Sequence, residues 1–290
     1  MLTTTGIPWK ILLASLLVLG LMLAGCKSTT TQPLTAQEVA DKFIAGSSTL
    51  DKYAFDMDVT VVMEVPIPGE VKPQPFKVTA TGKGEVDAPK KAAKLVVQTK
   101  AEALTPLSQA FEQKVETYVR DGMVYVGTAD ISGKAQWTKM KVNDPEQNQL
   151  SAPTVDEVAK LMKGTPVENL GTEEVDGKKA HVLKVSPDMV KLLELVMKDS
   201  LFEANLEEAD SIVDMVKSLS VKVWISEEGF KLLKQEVQMT MAFDSSSLGI
   251  PGFASMTYDL HSITSFSYDA KVSIVVPQEA LNAPETPLTK

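Results

Sequence analysis

The chain has 290 residues with 29 basic and 38 acidic side chains, which gives a formal net charge of −9 at pH 7. This acidic balance argues against binding to nucleic acid and against electrostatic docking on anionic lipid, because both surfaces repel a negative protein. The single cysteine excludes an intramolecular disulfide and a metal site of several thiolates, so a hydrophobic core has to stabilise the fold.

The N-terminal segment, residues 1–25, has the composition of an export signal. Lys10 is its only charged side chain, and the leucine-rich stretch over 11–24 is shorter than the roughly 20 residues of a membrane-spanning helix. We therefore expect a secretory signal that is cleaved. It ends in Leu-Ala-Gly-Cys, with the cysteine at position 26, and this sequence resembles the lipobox of bacterial lipoproteins.

The lipobox resemblance implies that the thiol of Cys26 receives a diacylglycerol and that Cys26 becomes the first residue of the mature chain. One acyl chain holds a protein at a membrane only weakly, and stable anchoring takes two or more acyl chains, as a diacylglycerol provides. The sequence thus predicts a lipid-anchored protein on the extracytoplasmic face of the cell membrane, with residues 26–33 as a polar tether. The alternative is an incidental thiol at the end of a transmembrane helix.

A helix and a long strand are expected at the start of the folded domain. Thr35 and Glu38 fit a capping box, and Val39 and Phe43 repeat at helical spacing, so the helix should begin directly after Thr35. From Tyr53 the apolar period changes to two, which predicts a strand with one dry face. The apolar positions of that strand are Phe55, Met57, Val59, Val61, Met63 and Val65.

Further strands, two hairpins and several helices follow. The dipeptides Asp121-Gly122 and Asp176-Gly177 are strong signals for two-residue hairpin turns. Residues 154–163 are predicted as a capped helix. Two more amphipathic helices are expected, one after Ser186-Pro187 and one over 206–219.

The last third of the chain returns to alternating strands. Two apolar faces are formed by Val237, Met239 and Met241, with Gln235 as a polar exception, and by Met256, Tyr258 and Leu260. A final strand is expected over 272–276, and residues 282–290 are expected to form a flexible tail. The folded domain is therefore expected to span residues 34–281.

The motifs along this chain resemble those of the LolA-like lipoproteins, a group that includes mycobacterial glycolipid-carrier lipoproteins. Three stretches carry the resemblance: 121–126 followed by 136–140, 175–183, and 221–226 followed by 230–237. The resemblance implies an α+β fold with a strongly curved antiparallel sheet, an incomplete barrel, whose concave face is covered by helices. In the best-known relatives the apolar space between sheet and helices holds acyl chains.

The sequence contains no arrangement of residues that is typical of catalysis. His181 and His261 lie far apart in separate predicted strands, and the acidic pairs lie at turns or on a helix, where solvated surface is the favoured interpretation. A metal site shared by the two histidines is a weak alternative. We therefore expect neither an enzyme nor a bound cofactor.

The methionine-rich strand faces are the candidate functional surface, because methionine side chains adapt to varied apolar ligands. The candidate ligand-lining residues are Met57, Val59, Val61, Met63, Val237, Met239, Met241, Met256 and Tyr258. The first hypothesis is a membrane-anchored, non-catalytic lipoprotein that binds or carries a lipid between sheet and helices. The second is a structural or protein-interaction module with a fully packed core, which meets a neighbouring protein of the cell envelope. Trp137 and Trp224 are expected to pack against the fold.

Overall fold

Eleven antiparallel strands of the described residues form one sheet. The computed structural model of the protein describes residues 33–65, 67, 72–103, 109–129, 135–141, 154–189, 214–243 and 256–286. The strands are β1 (Lys52–Val65), β2 (Gln74–Asp87), β3 (Ala92–Ala101), β4 (Phe111–Arg120), β5 (Met123–Ala129), β6 (Ala135–Lys141), β7 (Val167–Val175), β8 (Lys178–Val185), β9 (Val216–Ser226), β10 (Leu232–Phe243) and β11 (Met256–Ser267). Their order is β6-β5-β4-β3-β2-β1-β11-β10-β9-β8-β7, so the first and last strands pair in the middle of the sheet.

The sheet confirms the fold class predicted from the sequence, which is α+β with a curved, unclosed antiparallel sheet and helices on its concave face. Two hairpins also turn where they were predicted. Asp121 and Gly122 have φ angles of 55° and 74°, and Asp176 and Gly177 have φ angles of 49° and 76°. A positive φ at both central residues is typical of a type I′ turn, whose twist matches that of the strands it joins.

One face of the sheet, here called the inner face, carries the odd-numbered residues of β1 and is covered at one end by two helices. These helices are α1 (Ala36–Ser47) and α2 (Val155–Met162). Both begin with the predicted capping box. The Thr35 side chain accepts a hydrogen bond from the Glu38 N–H, and the Glu38 carboxylate accepts one from the Thr35 N–H. Thr154 and Glu157 repeat the arrangement at the start of α2.

The end of the inner face that the helices cover contains the most deeply buried part of the core. The rings of Tyr53, Phe55 and Phe266 lie there with centroids 6.2–6.5 Å apart. Tyr53 also reaches the backbone of Val155 at the start of α2, and burial raises its pKa. The fully buried side chains of the helices and of β8, β9 and β10 include Val39, Phe43, Val155, Val158, Met162, Leu183, Val223, Ile225 and Leu232.

The helix predicted over 206–219 is wrong at its C-terminal end, where the chain is a strand. β9 begins at Val216, and Leu219 pairs with Met239 of β10. The apolar residues from Leu219 onward alternate with a period of two, and the ladder with β10 decides the conformation against the helical spacing. Residues 206–213 of that prediction, and most of the helix expected after Ser186-Pro187, lie outside the described residues.

The strand predicted over 272–276 is also wrong, because this segment joins no ladder of the described sheet. The Ser273 N–H donates a hydrogen bond of 3.0 Å to the Glu85 carboxylate, and Glu85 lies opposite Ala54 in the β1–β2 ladder. Both residues belong to the face opposite the inner face, here called the outer face. A segment that lies across strands cannot pair with them in register, although packing on a surface still makes its side chains alternate.

The end of the described chain stays packed against the outer face. A short helix, α3 (Gln278–Leu281), lies beside β5 and β6. Residues 282–286, which the sequence placed in a flexible tail, are held by the backbone of Lys139. The Lys139 N–H donates to the Pro284 carbonyl at 3.1 Å, and the Thr286 N–H donates to the Lys139 carbonyl at 2.8 Å.

Candidate hydrophobic ligand site

The apolar strand faces identified in the sequence meet on the inner face of the sheet. The nine candidate lining residues are Met57, Val59, Val61, Met63, Val237, Met239, Met241, Met256 and Tyr258. They belong to three adjacent strands, because β11 pairs with β1 on one side and with β10 on the other. The ladders place Tyr258 between Met63 and Met241. Alternate residues of a strand point to the same side, so all nine share the inner face.

The nine residues are half-buried, in contrast to the core beneath the helices. The change from fully buried to half-buried side chains occurs within β1. Phe55 is 2% exposed, whereas the residues of the same face from Met57 to Val65 are half-buried. Burial raises the pKa of Tyr258, because a phenolate with little hydration is disfavoured. This part of the inner face therefore has an apolar surface that is neither fully packed nor fully exposed.

A row of apolar side chains extends the candidate surface across seven strands. From β4 to β9 the row consists of Phe111, Ala101, Val78, Val61, Leu260, Met239 and Leu219, each the ladder partner of the next. Neighbouring strands lie about 4.8 Å apart, so the row is about 29 Å long. Phe111, at one end of the row, is 50% exposed. This end of the apolar row faces solvent.

Several members of this row are not among the candidate residues predicted from the sequence. Leu260 has the same alternation as Met256 and Tyr258, and that signal was sufficient to include it. Leu219 was predicted to lie in a helix. Phe111 lies in a strand whose position next to β3 depends on the order of the strands, which its own sequence does not show. The row exists only because β1 pairs with β11, and this pairing joins residues that are far apart in the sequence.

Two buried polar side chains interrupt the apolar inner face. Gln235 of β10 lies opposite Thr264 of β11, and Thr264 lies opposite Met57. Their exposed fractions are 7% and 1%. The Gln235 Oε1 accepts no hydrogen bond from any residue of the described ranges. The candidate surface thus has two features. One is the long apolar row, and the other is an unsatisfied buried acceptor at the end of the surface that lies next to the core under the helices.

A model of a family of unknown function, DUF6612, matches residues 35–285 of the chain. The chain belongs to the DUF6612 family. No curated protein is significantly similar to it.

Solved structures with a distant likeness to this DUF6612 protein include two mycobacterial lipoproteins. LprF from Mycobacterium bovis is 14% identical, with a TM-score of 0.40 over 84% of this chain and 97% of its own. LppX from Mycobacterium tuberculosis is 11% identical, with a TM-score of 0.37 over 81% of this chain and 96% of its own. A DUF1329 family protein from Desulfovibrio piger is 9% identical, with a TM-score of 0.25 over 83% of this chain and 96% of its own.

The two histidines of the DUF6612 protein lie on opposite faces of the sheet. His181 pairs with Ile225 and faces inward, whereas His261 pairs with Thr60 and faces outward. The metal site that the sequence analysis considered for the two histidines is therefore contradicted by the fold. His261 instead lies 3.0 Å from a carboxylate oxygen of Glu236. Within the part of the chain that the structure describes, no three His, Cys, Asp or Glu side chains are grouped to hold a metal ion.

Both tryptophans singled out in the sequence pack on the outer face, away from the candidate surface. Trp224 is 4% exposed, and its Nε1 donates a hydrogen bond of 2.7 Å to Glu173. Trp137 covers Gly127, its ladder partner in β5, where a side chain would collide with the indole ring. Its ring centroid lies 5.9 Å from that of Tyr118.

The N-terminal predictions concern residues outside the described ranges. Cys26 lies there, together with the signal over 1–25 and most of the tether over 26–33. Lipidation of Cys26 therefore stays a prediction from the sequence. Among the helices that are described, none is long and apolar enough to cross a membrane.

Proposed function

We propose that this DUF6612 protein is a non-catalytic lipoprotein of the cell envelope that binds a lipid or another hydrophobic ligand on the inner face of its sheet. The lipid on Cys26 anchors it to the extracytoplasmic face of the cell membrane and keeps the binding face near a source of lipid. The observation that carries the proposal is the apolar row from Phe111 to Leu219, whose side chains from Val78 to Leu219 are half-buried, beside a core that is fully buried.

An apolar surface of this extent favours a hydrophobic ligand. Apolar area removed from water stabilises a complex by about 25 cal/mol per Å², and large incompletely buried apolar patches are typical of binding sites. Met63, Met239 and Met241 contribute unbranched side chains that adapt to ligands of different shape. A lipid chain that lies on this surface removes apolar area from water and gains affinity.

The side chains around the row suit binding better than catalysis. Tyr258 is the one titratable side chain among the nine candidate residues. Burial raises its pKa, so it remains a neutral phenol near neutral pH. An uncharged surface of this kind is complementary to an acyl chain and offers no group poised for general acid or base catalysis near neutral pH.

Val61→Trp tests the proposal, because Val61 lies in the middle of the row. If a ligand occupies the space above Val61, the indole ring will displace it. We expect most of the bound lipid to be lost while the melting temperature holds or rises. In a fully packed core the same substitution should cost about 1–3 kcal/mol. Native mass spectrometry of the full chain measures bound lipid, and calorimetry measures the melting temperature.

Val62→Trp is the matched control, because Val62 is the next residue of β1 and faces the opposite side of the sheet. This variant should retain its bound lipid. Clear destabilisation by Val61→Trp, together with a parent protein in which no lipid is ever detected, would favour the interaction module and end the lipid-binding proposal.

A further inference from the structure

Gln235 is a polar side chain among apolar neighbours on the inner face. The next inner-face residues of β10, Val237, Met239 and Met241, all belong to the candidate surface. The Gln235 side chain is 7% exposed, and its Oε1 accepts no hydrogen bond from the described residues. Folded proteins pair nearly all buried polar atoms, because an unpaired one costs free energy. The orphaned oxygen points to a partner that comes from outside the described chain.

Thr264 provides a second polar side chain next to Gln235. The two residues are ladder partners, and side chains at such positions have Cβ atoms about 5 Å apart. The flanking members of the same cross-strand row are Met57 and Val223, neither of which is charged. An ion bound at this point would lose its hydration without meeting a counter-charge. The pair therefore suits an uncharged polar group.

The position of the pair sets the direction in which a ligand can lie. Phe55 and Phe266 occupy the next inner-face positions under the helices and are 2% and 5% exposed. A chain cannot extend past them without opening the core. In the other direction, the seven residues of β10 from Gln235 to Met241 cover about 20 Å, and the inner-face side chains beyond Gln235 are apolar and half-buried.

We propose that Gln235 and Thr264 bind the uncharged polar end, a hydroxyl or an amide, of a single-chain lipid whose apolar chain lies along β10 and β11 toward Met241. The Gln235 Oε1 accepts a hydrogen bond from the O–H or N–H of the lipid, which satisfies the buried acceptor. The inference rests on the proposed function, because it needs a lipid on the inner face. It adds the chemical class of that lipid and the direction in which it binds.

Two photoreactive probes test the inference on the full chain in membrane vesicles. One is hexadecan-1-ol with a diazirine and an alkyne in its chain, and the other is the methyl ether of the same alcohol. The probes differ in the donor that the Gln235 Oε1 needs. We expect the alcohol to label the inner-face strands at about tenfold lower concentration than the ether, as one hydrogen bond to an otherwise unsatisfied group implies.

Gln235→Met removes the acceptor and keeps the length of the side chain. The preference for the alcohol should shrink to within about twofold, with labelling by the ether retained and the melting temperature held or raised. Gln238→Met is the control, since Gln238 lies on the outer face of the same strand, and it should keep the preference. Thr264→Val keeps the side-chain shape and should also weaken the preference for the alcohol over the ether. It provides a second test in case Gln235→Met does not fold.

The outcomes separate this inference from the proposed function. Equal labelling of the parent by both probes, or a preference that survives both Gln235→Met and Thr264→Val, would overturn the polar-end inference and leave lipid binding intact. A parent that neither probe labels on the inner face would overturn the proposed function and this inference with it.

Discussion

Glu236 illustrates how the outer face keeps a partly buried carboxylate ionised. His261 Nε2 lies 3.0 Å from its Oε1, and the Gln238 amide donates to the same oxygen at 2.7 Å. The Lys222 ammonium lies 3.9 Å from the other oxygen. Burial raises the pKa of Glu236, but the hydrogen bonds from His261 and Gln238 and the charge of Lys222 outweigh it, so the pKa is lowered. The network links β9, β10 and β11 on the side opposite the apolar row.

The lowered pKa predicts a loss of stability in acid. Ionised Glu236 contributes stability above its pKa in the unfolded chain, about 4.3, and the contribution is lost as the pH falls through the lower folded pKa. Glu236→Gln should therefore cost about 1 kcal/mol near pH 7, and this cost should shrink as the pH is lowered from 7 through the folded pKa, where the parent carboxyl becomes protonated. Urea unfolding across this pH range measures the difference.

Glu64→Gln is the control for this prediction, because Glu64 is an exposed carboxylate of the outer face. It should change the free energy of unfolding by less than about 0.5 kcal/mol throughout the range. A cost of Glu236→Gln that does not vary with pH would contradict the ionic origin of its contribution.

At the scale of elements, the C-terminal segment covers the half of the sheet that lies away from α1 and α2. Val276 and Ala280 pack against Tyr118 and Tyr125 on the outer face. Burial, together with the charge of Glu116, raises the pKa of Tyr118 to about 12. Strands β4 and β5 thus take apolar cover from the outer side, whereas the largest fully buried side chains of β8, β9 and β10 lie on the inner side.

Val276→Ala tests this packing. Val276 is 6% exposed, so the substitution leaves a cavity beside the tyrosines and should lower the free energy of unfolding by about 2 kcal/mol. Val275→Ala makes the same change at a residue that is 69% exposed, and its effect should stay below about 0.5 kcal/mol. Equal, small effects of the two variants in urea unfolding would mean that the segment does not pack on the sheet.

Elements with a local signal were predicted correctly from the sequence. The capping boxes at Thr35 and Thr154 and the turns at 121–122 and 176–177 depend on residues within a few positions of one another. The errors arose where contacts between residues far apart in the sequence determine the secondary structure. β9 starts within a predicted helix because β10 pairs with it, and the segment over 272–276 is extended on the surface of the sheet. Spacing alone does not distinguish an extended segment in a ladder from one outside it.

At the scale of the whole sheet, the faces of single strands in the candidate site could be predicted, but their assembly into one surface could not. Alternation shows which residues of one strand share a face, so the two methionine-rich stretches were visible in the sequence. The sequence did not show that the two stretches form one surface, because Val61 and Met239 come together only through Leu260 of β11, which lies between them. Gln235 was visible as a single polar exception, but its burial and its unpaired oxygen depend on the strands around it.

The location of the whole molecule in the cell is predicted to depend on Cys26. In lipoproteins with a lipobox, cleavage of the signal follows transfer of the lipid to the cysteine, so Cys26→Ala should accumulate as a precursor without acyl chains. Labelling cells with an alkyne-tagged fatty acid, followed by gel electrophoresis, measures both the lipid and the cleavage. Ser28→Ala changes the tether and should retain both.

The same variant separates anchoring from folding. The chain over Thr35–Lys290 forms a compact unit of its own, so Cys26→Ala should leave its melting temperature unchanged. Ligand binding on the inner face should then persist in the purified variant, because the substitution lies outside this unit. Acyl label that remains on the Cys26→Ala protein would show that another residue carries the anchor, and the inner face would then reach the membrane by a different attachment.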